Sequence, residues 1–241
     1  MEIYQRSYEE SIINEPVLNK RVYNIIRNRI IFDELHPGQQ LSVASLSKEL
    51  QVSRTPVSVA LSALERDGYV VVQPKRGTFV RELTPYELEI IFKARASMGK
   101  LIIESAGYLI SKEQLHKFQK EFRSFRSMKY ITNPYLIELF YLDVEFHRLL
   151  DECIPGIIHD QFKVIADLTM NSRYIAYRNR FGGLSDQQIK ILCCDTHLAI
   201  IDALLKNDGT KASDYFVQDV YHGLDAIRPK EHFKLFSSPK S

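Results

Sequence analysis

The sequence lacks the features that mark several classes of protein. It contains no run of about 18 uncharged apolar residues, the length that a membrane-spanning helix requires. Residues 1–6 do not have the basic-then-apolar layout of a secretory signal peptide. The 3 cysteines are an odd number without the spacing of a disulfide framework, so we expect reduced thiols. These absences predict a cytoplasmic protein without a membrane partner.

What is present is typical of a globular protein with more than one core. The 241 residues are 45% hydrophobic and 26% charged, without an internal repeat or a low-complexity segment. A chain of this length is long enough for two domains. Thr84 is a suitable N-cap, Pro85 suits a first helical position, and Glu87 completes a capping box. We therefore predict a domain boundary and a new helix at residues 82–85.

Residues 37–81 carry the pattern of a winged helix–turn–helix. An apolar-periodic helix ends at Pro37-Gly38, and Ser42 is placed to cap a short second helix. A third helix is predicted to start with Thr55 as its cap and Pro56 at its first position. The remaining elements follow in order: a stop at Gly68, a strand at 69–72, a basic turn at 74–77 and a strand at 78–80.

Positive charge is concentrated in this part of the chain. Residues 16–81 carry 10 Lys or Arg against 5 Asp or Glu, a net charge of +5, whereas the whole chain has +2. A recognition helix places its first residues against base edges in the major groove, while basic side chains hold the phosphates. The segment is therefore predicted to bind double-stranded DNA. The alternative is a winged helix that makes only protein contacts.

The same segment resembles the GntR family of bacterial transcription regulators. The resemblance is carried by Pro37-Gly38, Leu41-Ser42, Leu46, Leu50, Val52-Ser53-Arg54-Thr55-Pro56-Val57, Ala60-Leu61, Leu64, Gly68, Arg76-Gly77 and Phe79-Val80. Ala44 and Ser58 stand where the family usually has arginines, and Val59 where it has glutamate, which implies fewer charged contacts or a different operator. The predicted DNA-binding residues are Ser53, Arg54, Thr55, Pro56, Ser58, Lys75, Arg76 and Gly77.

The second half of the chain is predicted to be entirely helical. From Pro85 to Ile227 nearly every segment has helical periodicity, and no convincing alternating strand is found. The prediction is a bundle of six or seven helices, so the fold class is mainly α. The predicted domains are a tail (1–15), the winged helix–turn–helix (16–82), an all-helical effector-binding and dimerisation domain (83–230) and a second tail (231–241).

Two polar residues on the apolar helix faces allow more than one interpretation. Arg95 falls within the apolar stripe of the first helix of the bundle, where an unpaired guanidinium is strongly destabilising. It either forms a salt bridge with a neighbouring helix or clamps a carboxylate or phosphate ligand. Cys193, four residues before His197, is either a buried thiol or a metal ligand.

A further set of inward residues has the chemistry of a metal site. Asp143 and His147 are one turn apart on an apolar face, and His197 shares a face with apolar residues. Asp219 and His222 share a direction on the last helix. A carboxylate and several imidazoles in one bundle suggest a divalent transition metal such as Zn²⁺ or Ni²⁺. Spacing alone leaves separate, hydrogen-bonded core histidines as the alternative.

These residues resemble the ligand-binding domain of the FadR-type branch of the GntR family. Its commonest version, the all-helical FCD type, holds a metal with one aspartate and three histidines. The resemblance assigns Asp143, His147 and His197 as ligands. It expects the last histidine at the position of Asp219, and the nearest histidine, His222, lies one turn later. His222 is therefore the predicted fourth ligand, with Asp219 as the alternative.

The resemblance also implies an effector and an assembly. Arg95 matches an arginine common in the first helix of such domains and is the predicted effector-binding residue; Gly99, in place of a glutamate, is expected to leave room beside it. The implied protein is a homodimeric regulator, expected to be a repressor and not an enzyme, which reads a pseudo-palindromic operator and responds to a small organic acid. The alternatives are a metalloenzyme fused to a winged helix and an acyl-CoA-responsive regulator.

Overall fold

The architecture is that of a computed structural model, which describes residue 10, residues 14–154 and residues 156–227. Most of the predicted amino-terminal tail, all of the predicted carboxy-terminal tail and residues 228–230 lie outside the described residues. Within the part of the chain that is described, no helix is long and apolar enough to cross a membrane.

The amino-terminal domain is a winged helix–turn–helix. Its elements are α1 (Leu18–Ile31), β1 (Gln40–Leu41), α2 (Val43–Glu49), α3 (Arg54–Arg66), β2 (Val70–Gln73) and β3 (Gly77–Val80). The three strands form an antiparallel sheet in the order β1-β3-β2, with Val71 opposite Phe79 in the hairpin. Apolar residues of α1, α3 and the sheet, among them Ile26, Val57 and Val70, form a separate core. Burial of this apolar surface stabilises the domain.

The start of α3 differs from the prediction. Ser53 has the extended backbone of an N-cap (φ −66°, ψ 167°), and the helix begins at Arg54. Thr55, the predicted cap, therefore lies within the first turn, and that prediction was wrong by two residues. Pro56 is tolerated at its position because the N–H groups of the first turn have no partner within the helix. Ser42 caps α2 as expected, accepting from the Ser45 N–H.

The carboxy-terminal domain is an all-helical bundle, which confirms the predicted fold class. Its longer helices are α4 (Pro85–Ala106), α5 (Lys112–Ser127), α6 (Asn133–Asp151) and α7 (Gly156–Arg178). A short turn (Arg180–Gly183) leads to α8 (Asp186–Ile189), a π-helical segment (Lys190–Asp195), α9 (Thr196–Leu205) and α10 (Gly209–Ile227). The capping box at the start of α4 is present, since Thr84 accepts from the Glu87 N–H and Glu87 accepts from the Thr84 N–H.

Helix α7 joins the two domains. Asn171 Nδ2 donates to the carbonyl oxygens of Ile30 and Ile31 at the end of α1, both at 3.0 Å. Arg178, about two turns further along α7, forms an ion pair of 2.8 Å with Asp33. The carbonyl groups at a helix end have no partner within that helix, so Asn171 fixes α1 against α7 directly.

Candidate functional site

The first turn of α3 and the hairpin form an exposed polar surface. Ser53, Arg54, Thr55 and Ser58 are exposed, as expected of residues that meet base edges, whereas Pro56 is buried against the domain core. The structure therefore gives Pro56 a place in the core and presents the other four to solvent. The backbone N–H groups in the first turn of a helix have no partner within the helix and are suited to bind phosphate.

The tip of the β2–β3 hairpin is the second part of this surface. Lys75, Arg76 and Gly77 are all exposed. Lys75 (φ 64°) and Gly77 (φ 110°) have left-handed backbones, and the Arg76 N–H closes the turn on Gln73 O at 3.0 Å. Gln40 donates to the Arg76 carbonyl at 2.8 Å, which fixes the base of the turn. The two arginines Arg54 and Arg76 thus lie on rigid elements of one domain.

Inside the bundle, four of the predicted polar residues come together. Asp143 and His147 from α6, His197 from α9 and Asp219 from α10 are all buried. His197 Nε2 lies 2.6 Å from Asp143 Oδ1, and His147 Nε2 lies 3.1 Å from Asp219 Oδ2. The two imidazole Nε2 atoms are 3.3 Å apart. We call these four residues the buried cluster.

The π-helical segment sets the orientation of His197. Its Nδ1 is hydrogen-bonded to the backbone carbonyl of Cys193, within the widened turn. The imidazole also stacks on Phe122, with ring centroids 4.7 Å apart. A hydrogen bond from Nδ1–H to a carbonyl leaves Nε2 directed at the carboxylates, an arrangement typical of metal-binding histidines. Short π-helical segments occur often at functional sites.

Arg173, on α7, also contacts the buried cluster, and the sequence analysis missed it. Its Nη2 lies 2.5 Å from Asp143 Oδ1 and its Nε 3.0 Å from Asp143 Oδ2, a bidentate pair. Its Nη1 donates to Asp219 Oδ2 at 2.8 Å. One guanidinium therefore holds the carboxylates of two different helices. The signal was present in the sequence, because Arg173 lies on the face of α7 that also carries the buried Tyr177.

These contacts decide the charge state of the buried cluster. Burial alone would raise the pKa of Asp143, but Arg173 and the two imidazoles outweigh it and hold the pKa well below its usual range. The pKa of Asp219 is lowered for the same reasons. Burial alone would lower the pKa of His197, but Asp219 and Asp143 raise it. Both carboxylates are therefore ionised at neutral pH.

His222 and Cys193 lie outside the buried cluster. His222, the predicted fourth ligand, is half-buried one turn beyond Asp219, and burial lowers its pKa. The geometry favours the alternative, Asp219, because that side chain reaches His147. The Cys193 thiol is fully enclosed, and burial raises its pKa well above the ordinary value. Cys193 contributes to the buried cluster only through its backbone carbonyl, which is hydrogen-bonded to His197 Nδ1.

Arg95 is buried and forms an internal salt bridge. Its Nη1 lies 2.8 Å from Asp151 Oδ1, and its guanidinium sits over the rings of Phe162 (4.6 Å) and Phe216 (5.0 Å). The space expected beside Gly99 is filled: a Cβ there would lie 2.0 Å from Phe216 Cε1. The missing side chain of Gly99 therefore admits the Phe216 ring, which covers Arg95, and the expected room is not there.

A cavity of about 340 Å³ connects these residues with the DNA-binding domain. Arg95, His147 and Arg173 line it from the bundle, and Asn24 and Arg27 line it from α1. His147 Nδ1 is buried and has no hydrogen-bond partner among the described residues. The volume suits a small molecule, and the lining carries both signs of charge, six Lys or Arg against five Asp or Glu.

The buried cluster has the donor atoms for a divalent transition metal. One ligand atom from each of its four members can be chosen so that all lie within 4.8 Å of one another. In a tetrahedral zinc site, metal–ligand bonds of about 2.0–2.1 Å place neighbouring ligand atoms about 3.3 Å apart. The separations between His147 and its partners, 3.1 and 3.3 Å, agree with that spacing. The residues therefore fit a metal, and Arg173 is the additional group to be explained.

Comparison with known proteins gives the fold and surface a biological context. Residues 18–80 match the sequence model described as bacterial regulatory proteins, gntR family. The HTH-type transcriptional repressor RspR of Escherichia coli strain K12 is 25% identical over 226 residues, which cover 92% of this chain and 95% of RspR. An uncharacterised HTH-type transcriptional regulator, YdfH of Escherichia coli O6:H1, is 25% identical over 225 residues, covering 92% and 95% of the two chains.

Solved structures share the fold. Escherichia coli McbR/YncC superimposes with a TM-score of 0.67 at 14% identity, covering 86% of this chain and 95% of that one. A GntR regulator from Rhodococcus sp. RHA1 gives 0.64 at 20% identity, covering 87% and 99%. The winged helix and these relatives define a DNA-binding transcriptional regulator, not an enzyme. The match to the GntR family model covers the winged-helix domain, residues 18–80.

Proposed function

We propose that the protein is a repressor that binds a pseudo-palindromic operator as a homodimer and responds to a small carboxylate. The observation that carries the proposal is the cavity beside the buried cluster, because α1 of the DNA-binding domain forms one of its walls. A ligand in this cavity contacts both domains. RspR, a relative over almost its whole length, is named a repressor, which supports that direction of control.

The dimer is supported by an exposed apolar surface on the bundle. Tyr86, Ile90 and Leu101 of α4 are 73%, 45% and 65% exposed, and Tyr108 follows at 70%. Tyr86, Ile90 and Leu101 lie within about 60° of one another around the axis of α4, so they share one face, and an exposed apolar face can mark an interaction surface. Two copies related by a twofold axis would place two copies of α3 on successive major grooves, which is how such domains read palindromic sites.

Asp143, His147, His197 and Asp219 would hold the metal, with Zn²⁺ or Ni²⁺ as the expected ions. Such an ion, when bound, supplies a Lewis-acidic position for a carboxylate oxygen of the effector. The Cys193 carbonyl beside Nδ1 would accept the Nδ1–H of His197 and so leave Nε2 for the metal. Arg95 lines the same cavity and is the expected second contact for the carboxylate, through the guanidinium N–H groups that its Nη1 salt bridge with Asp151 does not use.

Effector and DNA binding are coupled through α7. This helix carries Arg173 at the buried cluster and Asn171 against the end of α1, less than one turn away. A ligand that changes the position of α7 therefore changes the placement of α3 in the dimer. Thermodynamic linkage makes the coupling reciprocal, typically about 1–3 kcal/mol.

The test combines a ligand screen with DNA binding on the full chain. Mono-, di- and hydroxycarboxylates are screened by thermal shift with and without Zn²⁺, and fragments of the DNA upstream of the gene are titrated by fluorescence anisotropy. We expect a carboxylate that raises the melting temperature only with metal and weakens DNA binding. Stabilisation by an acyl-CoA or a sugar, and by none of the carboxylates, would overturn the effector assignment. Unchanged DNA binding after loss of Arg54 and Arg76 would overturn the DNA-binding assignment.

A further inference from the structure

We propose that Arg173 is the resident cation of the buried cluster, and that a metal ion binds only by displacing its guanidinium into the cavity. The proposal rests on the metal site of the proposed function and adds a regulatory role for a residue of α7. Its basis is the number of groups that lie close to one carboxylate oxygen, Asp143 Oδ1. Asp143 Oδ1 lies 2.5 Å from Arg173 Nη2, 2.6 Å from His197 Nε2 and 3.4 Å from His147 Nε2.

An ionised carboxylate oxygen has room for about two close partners. Arg173 and His197 already take both positions on Asp143 Oδ1. A metal coordinated by this oxygen must replace one of them. His197 is itself a donor to the metal through Nε2, so it stays in the site with the ion. Arg173 has no lone pair to offer an ion, and its Nη2 is also only 3.3 Å from His147 Nε2. The guanidinium is the group that has to leave.

Charge favours the same conclusion. Two ionised aspartates buried in the bundle require a counter-charge, since an uncompensated buried charge is strongly destabilising. In the metal-free protein Arg173 supplies one positive charge against these two negative charges, through contacts with both Asp143 and Asp219. A divalent ion supplies it in the metal-bound protein. With both cations held between the same carboxylates, their repulsion in a low-dielectric site would oppose binding.

The structure also provides a place for the displaced side chain. Arg173 lines the cavity of about 340 Å³, and its side chain is 12% exposed. A guanidinium released from the aspartates is a free, bidentate donor there, on the same cavity as Arg95 and Asn24. Metal binding would thereby create the anion site. It would also release α7, which is fixed to α1 by Asn171, from its ties to α6 and α10.

The experiment measures Zn²⁺ binding to the full chain by isothermal titration calorimetry, with Arg173→Met as the informative variant. Arg178→Met is the matched control, because Arg178 lies on the same helix and pairs with Asp33 outside the cluster. We expect Arg173→Met to bind Zn²⁺ about tenfold more tightly or better, because removing the competing charge removes an electrostatic cost. Arg178→Met should bind as the wild type does. Without metal, Arg173→Met should melt at a lower temperature than wild type, and Zn²⁺ should restore it.

Each outcome bears on the proposal. Equal or weaker Zn²⁺ binding by Arg173→Met means that Arg173 supports the site, and overturns it. If Arg173→Met binds Zn²⁺ and wild type does not, Arg173 permanently takes the place of the metal. That result supports Arg173 as the resident cation. It contradicts the metal site of the proposed function. If neither binds, both fail. Should Arg173→Met fold poorly, Arg173→Gln keeps a polar hydrogen-bond donor without the charge and is expected to bind more tightly too. Variants of Arg173 that stay unfolded even with Zn²⁺ would contradict the proposal that the metal ion replaces the guanidinium.

Discussion

Arg27, in the DNA-binding domain, and Asp167, in the middle of α7, form a buried ion pair between the domains. Arg27 Nε lies 3.2 Å from Asp167 Oδ2, and the two side chains are only 10% and 6% exposed. The hydroxyl of Tyr69, at the start of the wing, donates to the same oxygen at 2.7 Å. One carboxylate of the bundle thus holds both α1 and the wing.

Asp167→Asn should destabilise the protein by about 3–5 kcal/mol, because it removes the charged partner of the buried Arg27 from this ion pair. Urea unfolding followed by circular dichroism measures the loss. Asp214→Asn is the control, since its ion pair with Lys100 is largely exposed and solvent-screened and should contribute little to stability. A loss at Asp167 no larger than at Asp214 would mean that the pair does not hold the domains together.

Arg54→Ala and Arg76→Ala should each weaken binding to the operator. A bidentate contact to a base is worth about 1–3 kcal/mol, and loss of a phosphate contact lowers affinity for all sequences alike. Arg66→Ala, at the far end of the same helix and 76% exposed, is the matched control and should bind normally. Anisotropy titrations at several salt concentrations separate the two kinds of contact. Equal behaviour of all three variants would contradict the assigned surface.

Gly99→Ala should destabilise the bundle by about 1–3 kcal/mol, since the new methyl group would overlap the Phe216 ring. Gly156→Ala is the control, because a Cβ there meets no atom within 4 Å. Phe216→Leu should partly rescue Gly99→Ala by shortening the obstructing side chain. Thermal unfolding of the wild type, the three single variants and the double variant gives the comparison. Additive losses in the double variant would show that the two residues do not share this space.

Cys153 should react slowly with iodoacetamide at pH 8. Burial raises the pKa of its thiol to about 11, and the negative charges of Asp151 and Glu152 add to the effect. Only about 0.1% is then thiolate at pH 8, against roughly a quarter for an ordinary thiol. Alkylation followed by mass spectrometry from pH 7 to 11 should show the rate still rising above pH 9. Glu152→Gln should speed it, and a plateau near pH 9 in the wild type would contradict the shift.

The sequence was sufficient for the fold and for most members of the buried cluster. Local signals placed the winged helix and the capping box at Thr84, because turn residues and caps act over a few positions. Asp143 and His147 were visible for the same reason, since they are one turn apart on one face. His222 was the predicted fourth ligand, but Asp219 is the residue that meets His147. Which residue of the last helix reaches His147 depends on how α10 packs against its neighbours. The periodicity of a single helix carries no information about that packing.

The contacts between distant segments could not be predicted. Arg173 and Asp143 are 30 positions apart, and Arg27 and Asp167 are 140 apart. Each residue alone looks like a charged position on a helix. Their pairing follows only from the relative placement of α1, α6 and α7, which is decided by apolar packing. The same apolar pattern is compatible with many such placements. The prediction of room beside Gly99 was wrong for the same reason, because the Phe216 that fills it is distant along the chain.

The π-helical turn at Lys190–Asp195 has a consequence for how this chain is aligned with its relatives. Such a turn is wider than an α-helical one and holds one more residue, as if a single residue had been inserted. An α-helical relative would need a one-residue gap here for its histidine to coincide with His197. Without that gap, every residue after the turn is displaced by about 100° around the axis. Deleting one residue from this segment should therefore rotate His197 away from Asp143 while leaving the rest of α9 helical.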